Sequence, residues 1–136
     1  MTLEIYTDGA SRGNPGPGAI AFIIRDGKGK IIKQHKHYIG RTTNNIAEYR
    51  ALISAMERVS KLAKEVRCFS DSKLMIHQLK GEYKVKKPHI RELFERAKTL
   101  ERKFEKVEYR HVNRTNPGIK MVDRMVNEVL DSVIRK

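Results

Sequence analysis

The 136-residue chain carries 29 Lys and Arg against 16 Asp and Glu, a formal charge of +13 with a pI near 10.0. One domain spanning residues 1–136 is expected, with a core that needs no covalent staples. The lone Cys68 excludes an internal disulfide and a Cys-rich zinc site; it suits a reducing compartment, so a cytoplasmic location is expected.

The N-terminal MTLEIYTDGAS lacks a basic segment followed by a long apolar one, so it is not read as a signal peptide. The longest apolar run, AIAFII at 19–24, falls far short of the ~20 residues of a membrane span, and no membrane partner is expected. The positive charge points to a polyanionic partner, nucleic acid foremost. The bland alternative is a solvated, heavily charged surface.

Residues 3–8, LEIYTD, alternate Leu3, Ile5 and Thr7 against Glu4, Tyr6 and Asp8, the pattern of a strand. TDGASRGNPGPG, residues 7–18, holds four of the nine glycines and is read as the turn between two strands. AIAFIIRD is apolar on both parities, as in a strand covered on both faces. DGKG marks a turn, and KIIKQHKHYIG is a third strand hairpinned to the second. From Asn45 the period lengthens: Ile46, Tyr49, Leu52, Met56 and Val59 line one face of a helix, with RTTNN supplying capping side chains.

EVRCFSD returns to strand and stops at Asp71. SKLMIHQLKG is a short helix with Ser72 near its N-cap and Gly81 as its stop. After the basic EYKVKK loop, Pro88 opens a helix with Ile90, Leu93, Phe94, Ala97 and Leu100 inward. KVEYRHV is the last strand, and an NPG-containing loop leads to a closing helix striped by Val122, Val126, Val129 and Val133. The order β-β-β-α-β-α-α-β-α predicts an α/β fold, a mixed sheet with helices on its faces.

Most acidic residues stand beside Lys or Arg, as in weak surface ion pairs. Four do not. Asp8 and Asp71 are placed at strand ends, while Glu48 and Asp123 border the apolar stripes of the first and last helices. A carboxylate at an apolar edge is costly unless something compensates its desolvation. Hydrogen bonds to backbone explain one such case; four invite a shared explanation. Converging carboxylates repel unless cations lie between them. Two Mg²⁺ ions would balance four negative charges and suit in-line displacement at a phosphodiester.

YTDGASRGNPGPGAIAF, RTTNNIAEYRAL, FSDSKLM and DRMVNEVLD, in that order, closely resemble the signature segments of type 1 ribonuclease H, over residues 3–133. QLKGEYKVKKPHIREL resembles the compact members that lack a long basic handle. The resemblance implies a five-stranded mixed sheet in order 3-2-1-4-5, flanked by helices. It implies hydrolysis of RNA paired with DNA, with Mg²⁺ or Mn²⁺, leaving 5′-phosphate and 3′-hydroxyl ends. The family's metal-binding acids fall on Asp8, Glu48, Asp71 and Asp123. Asn14, Asn44 and Asn45 fall on RNA-strand contacts, Thr43 on a DNA-phosphate contact with Arg41 beside it, and the backbone of Gly9 and Ala10 approaches the RNA.

Short amides pair well with a 2′-hydroxyl, which donates and accepts and marks RNA from DNA. The plain reading of TTNN is a helix cap, a job Asn44 or Asn45 would combine with substrate contact. Lys73 stands where many relatives carry Gln, and suits a phosphate or solvent. Arg114 matches an auxiliary catalytic position of the compact pattern. The stretch from Val112 to Asp123 is about two residues longer than that pattern. Residues 80–103 hold nine Lys and Arg against four Glu. Within them Lys84, Lys86, Lys87 and Arg91 are candidates to grip the DNA strand, and a solvated basic face is the alternative for each.

An RNA/DNA hybrid is therefore the expected partner of a monomer, with double-stranded RNA a further candidate. The competing class is a nucleic-acid-binding module on the same fold without turnover. A nucleotide-binding glycine loop does not fit, since GNPGPG is neither G-x-G-x-x-G nor followed by Lys-Ser or Lys-Thr.

Overall fold

A computed structural model describes residues 1–134. The chain runs β1 (Thr2–Ser11), β2 (Gly16–Arg25), β3 (Ile31–Thr42), α1 (Asn44–Val59), β4 (Glu65–Ser70), α2 (Lys73–Leu79), α3 (Pro88–Glu101), β5 (Lys106–His111) and α4 (Pro117–Ile134). The sheet order is β3-β2-β1-β4-β5. β1, β2 and β3 pair antiparallel, whereas β4 joins β1, and β5 joins β4, in parallel.

Both faces of the sheet are covered, which is why β2 is apolar on both parities. Phe22 and Ile24 point into the core beneath α1, α2 and α3 with Leu3, Ile5, Leu52 and Met56. Ala19, Ala21 and Ile23 point to the other side, where Ile119, Val122, Val126 and Leu130 of α4 pack. The small alanines admit α4 close to the sheet. At Gly118 a Cβ would lie 2.5 Å from the Tyr6 ring, so only glycine lets the first turn of α4 rest there. Tyr6 in turn stacks on Phe69 with ring centroids 4.7 Å apart.

Several strand boundaries differ from expectation, with β2 beginning already at Gly16 and β3 running on to Thr42. β1 does not end at Asp8 but continues to Ser11, because its pairing with β2 persists to Ser11↔Gly18. The glycine-rich stretch is thus mostly strand, and only residues 12–15 turn. β4 does stop at Ser70, one residue before Asp71. No helix among the described residues is long and apolar enough to cross a membrane.

Candidate active site

Register brings two of the acids together. Tyr6 lies opposite Phe69 in the parallel β1–β4 pair, so Asp8 and Asp71, each two residues further on, fall side by side. Glu48 comes from the second turn of α1, whose start is fixed by Thr43: its Oγ1 accepts from the Ile46 amide. β1 and α1 meet so closely that a Cβ on Gly9 would lie 2.2 Å from the Ala47 carbonyl oxygen. Glycine there lets its own amide donate to Glu48 Oε1 at 3.2 Å. One carboxylate oxygen each of Asp8, Glu48 and Asp71 lies within 4.8 Å of the others.

Asp123 differs from expectation. It is exposed on α4 rather than set at the edge of the buried stripe, since Val122 and Val126 take the sheet-facing positions. Its charge still reaches Asp8. Burial first, then the charges of Glu48, Asp71 and Asp123, push the Asp8 carboxyl up to about 9. Burial, then Asp71, raises Glu48 to about 7 against the opposing pull of the Gly9 amide and the Ser72 hydroxyl. The pair therefore keeps a proton at neutral pH without a metal. None of the four acids forms an ion pair with Lys or Arg among the described residues. An all-oxygen, hard donor set with no protein cation beside it fits a divalent ion such as Mg²⁺.

Beside this cluster the β1–β2 turn is sewn to α1. Asn14 Oδ1 accepts from the Asn44 amide at 3.1 Å, and Asn44 Oδ1 accepts from the Ser11 amide at 3.4 Å. The cap of α1 is Thr43, which leaves the amide of Asn44 to Asn14 and the side chain of Asn45 free of capping duty. On the other side of the helix start, Asn45 and Glu48 line a cleft together with Ser72, Lys84, Lys86 and Lys87.

The chain matches the reverse transcriptase-like family model over residues 6–129. The structure superposes on RNase H1 of Halobacterium salinarum with a TM-score of 0.92 and 37% identity, covering 97% of this chain and 99% of that one. The chain belongs to the type 1 ribonuclease H family. The curated ribonuclease HI of Halobacterium salinarum is 39% identical over 95% of this chain and 64% of its own length. A bifunctional protein of Mycobacterium tuberculosis is 37% identical over 97% of this chain, which spans only 36% of it. LC11-RNase H1, solved in complex with an RNA/DNA hybrid, gives a TM-score of 0.90 at 37% identity, with 97% and 99% coverage.

The remaining ribonuclease H positions are less tightly placed. Arg41 is exposed near the end of β3 opposite Pro17, and Lys73 is exposed at the start of α2. Ala10 is half-buried within β1. Arg114 is exposed between β5 and α4 and makes no side-chain bond among the described residues. That loop is held instead by Asn113, which accepts from the Thr115 amide at 3.0 Å, and by Asn116, which caps α4 through the Gly118 amide at 2.9 Å. His111 lies in β5.

Sequence reasoning missed two features. Arg12 Nη2 reaches Asp131 at 2.7 Å and Asn127 at 3.1 Å, tying the Asn14 turn to the helix that carries Asp123. No sequence signal marks that pairing across more than a hundred residues. Tyr49 Oη donates to Gln78 Oε1 at 2.7 Å inside the core. The signal for this pair was a glutamine between Met75, Ile76 and Leu79 on the apolar face of α2.

Proposed function

We propose that this chain is an endoribonuclease that hydrolyses the RNA strand of RNA/DNA hybrids, leaving 5′-phosphate and 3′-hydroxyl ends, and that it acts in the cytoplasm as a monomer. The observation that carries this reading is the group of Asp8, Glu48 and Asp71, brought from two strands and a helix to within 4.8 Å, with Asp123 close enough to bear on it. The hybrid bound to LC11-RNase H1 supports the substrate class.

Asp8, Glu48, Asp71 and Asp123 would hold two divalent ions, Mg²⁺ with Mn²⁺ as substitute. When bound, these supply the Lewis acidity and charge neutralisation that in-line displacement at phosphorus requires. The chain's own residues do the rest. Burial of Asp8 and Glu48 excludes water and lowers the local dielectric, which strengthens every charge interaction there. Asn14, Asn44 and Asn45 contact the RNA strand, and their neutral amides suit 2′-hydroxyls as donors or acceptors. The β1 backbone at Gly9 and Ala10 is assigned the close approach to the RNA strand, with the missing Cβ of Gly9 letting α1, not the substrate, pack against it. Thr43, with Arg41 beside it, contacts a DNA phosphate; Lys73, Lys84, Lys86 and Lys87 add attraction for the backbones. Arg114 is assigned the auxiliary catalytic role of the compact pattern.

The test is cleavage of labelled RNA/DNA hybrid, double-stranded RNA, single-stranded RNA and double-stranded DNA, with Mg²⁺, Mn²⁺ or EDTA, alongside Asp8→Asn. Hybrid cleavage lost in EDTA and in Asp8→Asn is expected. Cleavage that survives either would sink the two-metal assignment, and binding without turnover would leave a binding module.

A further inference from the structure

The two edges of the sheet are finished differently. At β5 the edge is tucked in: Tyr109 is buried and Val107 half-buried in the core beneath α2 and α3. At β3 every residue from Ile31 to Tyr38 is exposed, although the adjoining β2 is buried from Gly18 to Ile24. The helices close over β2, and beyond it the 12-residue β3 projects as a shelf with its outer edge unpaired. An edge of this length is a template for another strand unless it is blunted. This one opens on the exposed Ile31 and Ile32 and carries Tyr38, 39% exposed, toward its far end. β-branched and aromatic side chains favour strand pairing rather than discourage it.

Charge decides what can pair there. Residues 27–47 contain Lys28, Lys30, Lys33, Lys36 and Arg41 and no Asp or Glu. Among the described residues only Lys36 of these meets an acid, Glu128 at 3.3 Å. The two faces of β3 also differ. On the α1 side Lys33, His35 and His37 form a row, in which His35 rests on Phe22 and His37 with ring centroids 5.5 and 5.9 Å away. On the α4 side Gln34 and Lys36 border a groove of about 460 Å³, walled opposite by Met121, Arg124, Met125 and Glu128. Methionines give such a groove apolar surface that adapts to its occupant.

We propose that the outer edge of β3 takes up an extended acidic segment of another protein by strand addition. Its side chains alternate between the two faces. Acidic ones meet the Lys33 row and apolar ones enter the methionine groove. A polypeptide offers both N–H and C=O groups to the edge, whereas a phosphodiester backbone accepts hydrogen bonds and has none to donate to the edge carbonyls. A second copy of this chain does not fit, since each carries +13 and antiparallel β3 edges would set lysine against lysine. The inference does not depend on the hybrid reading.

The probe is a blocked nonapeptide of alternating Glu and Val. Its controls are the same residues in two blocks, an ester-backbone analogue without N–H donors, and a single-stranded DNA oligonucleotide. Anisotropy titration measures affinity, and amide hydrogen exchange locates the site. The alternating peptide binds the parent with a Kd on the order of 10 µM at low salt and slows exchange within residues 31–38. The blocked isomer and the ester bind about tenfold more weakly or worse, because register and backbone bonds are lost. Lys30→Glu/Lys33→Glu, both on the surface, melts like the parent, loses the Glu–Val peptide about tenfold or more and gains affinity for its Lys–Val counterpart. The peptide controls on the parent decide the matter if that variant does not fold. Equal binding by the blocked isomer reduces the effect to bulk charge and overturns the inference. So does protection at the Asp8 cluster or residues 84–87 instead of β3, or no binding at all. Protection of β3 by the oligonucleotide but not the peptide gives the edge to nucleic acid, and protection that grows with protein concentration alone gives it to a second copy; either overturns the inference.

Discussion

On one side of the α1 start, Asn14, Asn44 and the Ser11 amide are joined by hydrogen bonds of 3.1 and 3.4 Å and carry no charge. On the other side, Lys84, Lys86 and Lys87 crowd into one short segment, and none of their ammonium groups makes a bond or ion pair among the described residues. The first wall is pre-organised: its amides are held in place before any ligand arrives, so little ordering entropy remains to be lost. The second wall acts through charge, which attracts at a distance and is screened by salt. Under the proposed function, the neutral wall would recognise sugar chemistry and the basic one would supply affinity for phosphate.

The widest break comes from removing the carboxylate between the walls. Asp8→Asn lowers hybrid cleavage on the order of 10³-fold or more, since several kcal/mol of charge stabilisation leave with the metal. Single-turnover cleavage in Mg²⁺ measures this, and a loss below tenfold would remove Asp8 from the site. Next, Lys84→Ala/Lys86→Ala/Lys87→Ala flattens the log–log salt dependence of hybrid binding by about 0.9 for each phosphate that is no longer neutralised. Asn14→Ala leaves that slope intact and instead narrows the preference for the hybrid over double-stranded DNA, by about tenfold for the removal of one hydrogen bond. Binding titrations from 50 to 200 mM salt, roughly the range over which counterion release is felt, separate the two walls; equal slopes in both variants would erase the distinction between them.

A smaller effect appears with pH. A carboxyl whose pKa is raised on folding stabilises the protein below its unfolded value, near 4, and that contribution is lost as pH rises through the folded value. For Asp8 and Glu48 the window runs from about 4 to about 9. Without metal, Tm falls across this window, and it falls less in Asp8→Asn; Mg²⁺ restores the native protein above about pH 7. Protons also compete with the metal there, so apparent Mg²⁺ affinity rises with pH toward about 9. Thermal melts at several pH values, with EDTA and with Mg²⁺, check both signs.

The smallest effect belongs to Arg12→Ala. The Arg12–Asp131 pair is half-exposed, so it contributes about 0.2–1 kcal/mol. Losing it slackens the Asn14 turn and raises KM about two- to fivefold. The reciprocal swap Arg12→Asp/Asp131→Arg is expected to recover part of that loss, and no recovery would detach Arg12 from the turn.

The element order was legible because each segment carries its own period. The 3.6-residue repeat from Ile46 to Val59, the two-sided apolar run of β2 and the helix boundaries at Pro88 and Gly81 all survive in the structure. The four acids were legible as misfits, since carboxylates beside apolar stripes break an otherwise consistent pattern. Their differences were not. Glu48 and Asp123 looked alike in one dimension, yet one is buried against β1 and the other is exposed. Helix phase locates a stripe but not how far a neighbouring strand covers its edge. The end of β1 was misplaced for a related reason: partner strands decide where a strand stops, and β2 continues past the point where β4 ends.

By itself, then, the sequence determined the periods, the breaks, the charge and the short ordered segments that mark a ribonuclease H. These are local properties or simple sums along the chain. Tertiary structure alone decided which groups meet. The β1–β4 register set Asp8 beside Asp71, the missing Cβ of Gly9 let Glu48 close on them, and packing of α2 against α1 paired Tyr49 with Gln78. Contacts between residues dozens of positions apart depend on register and on the close approach of elements, and neither is written in any short stretch of the chain.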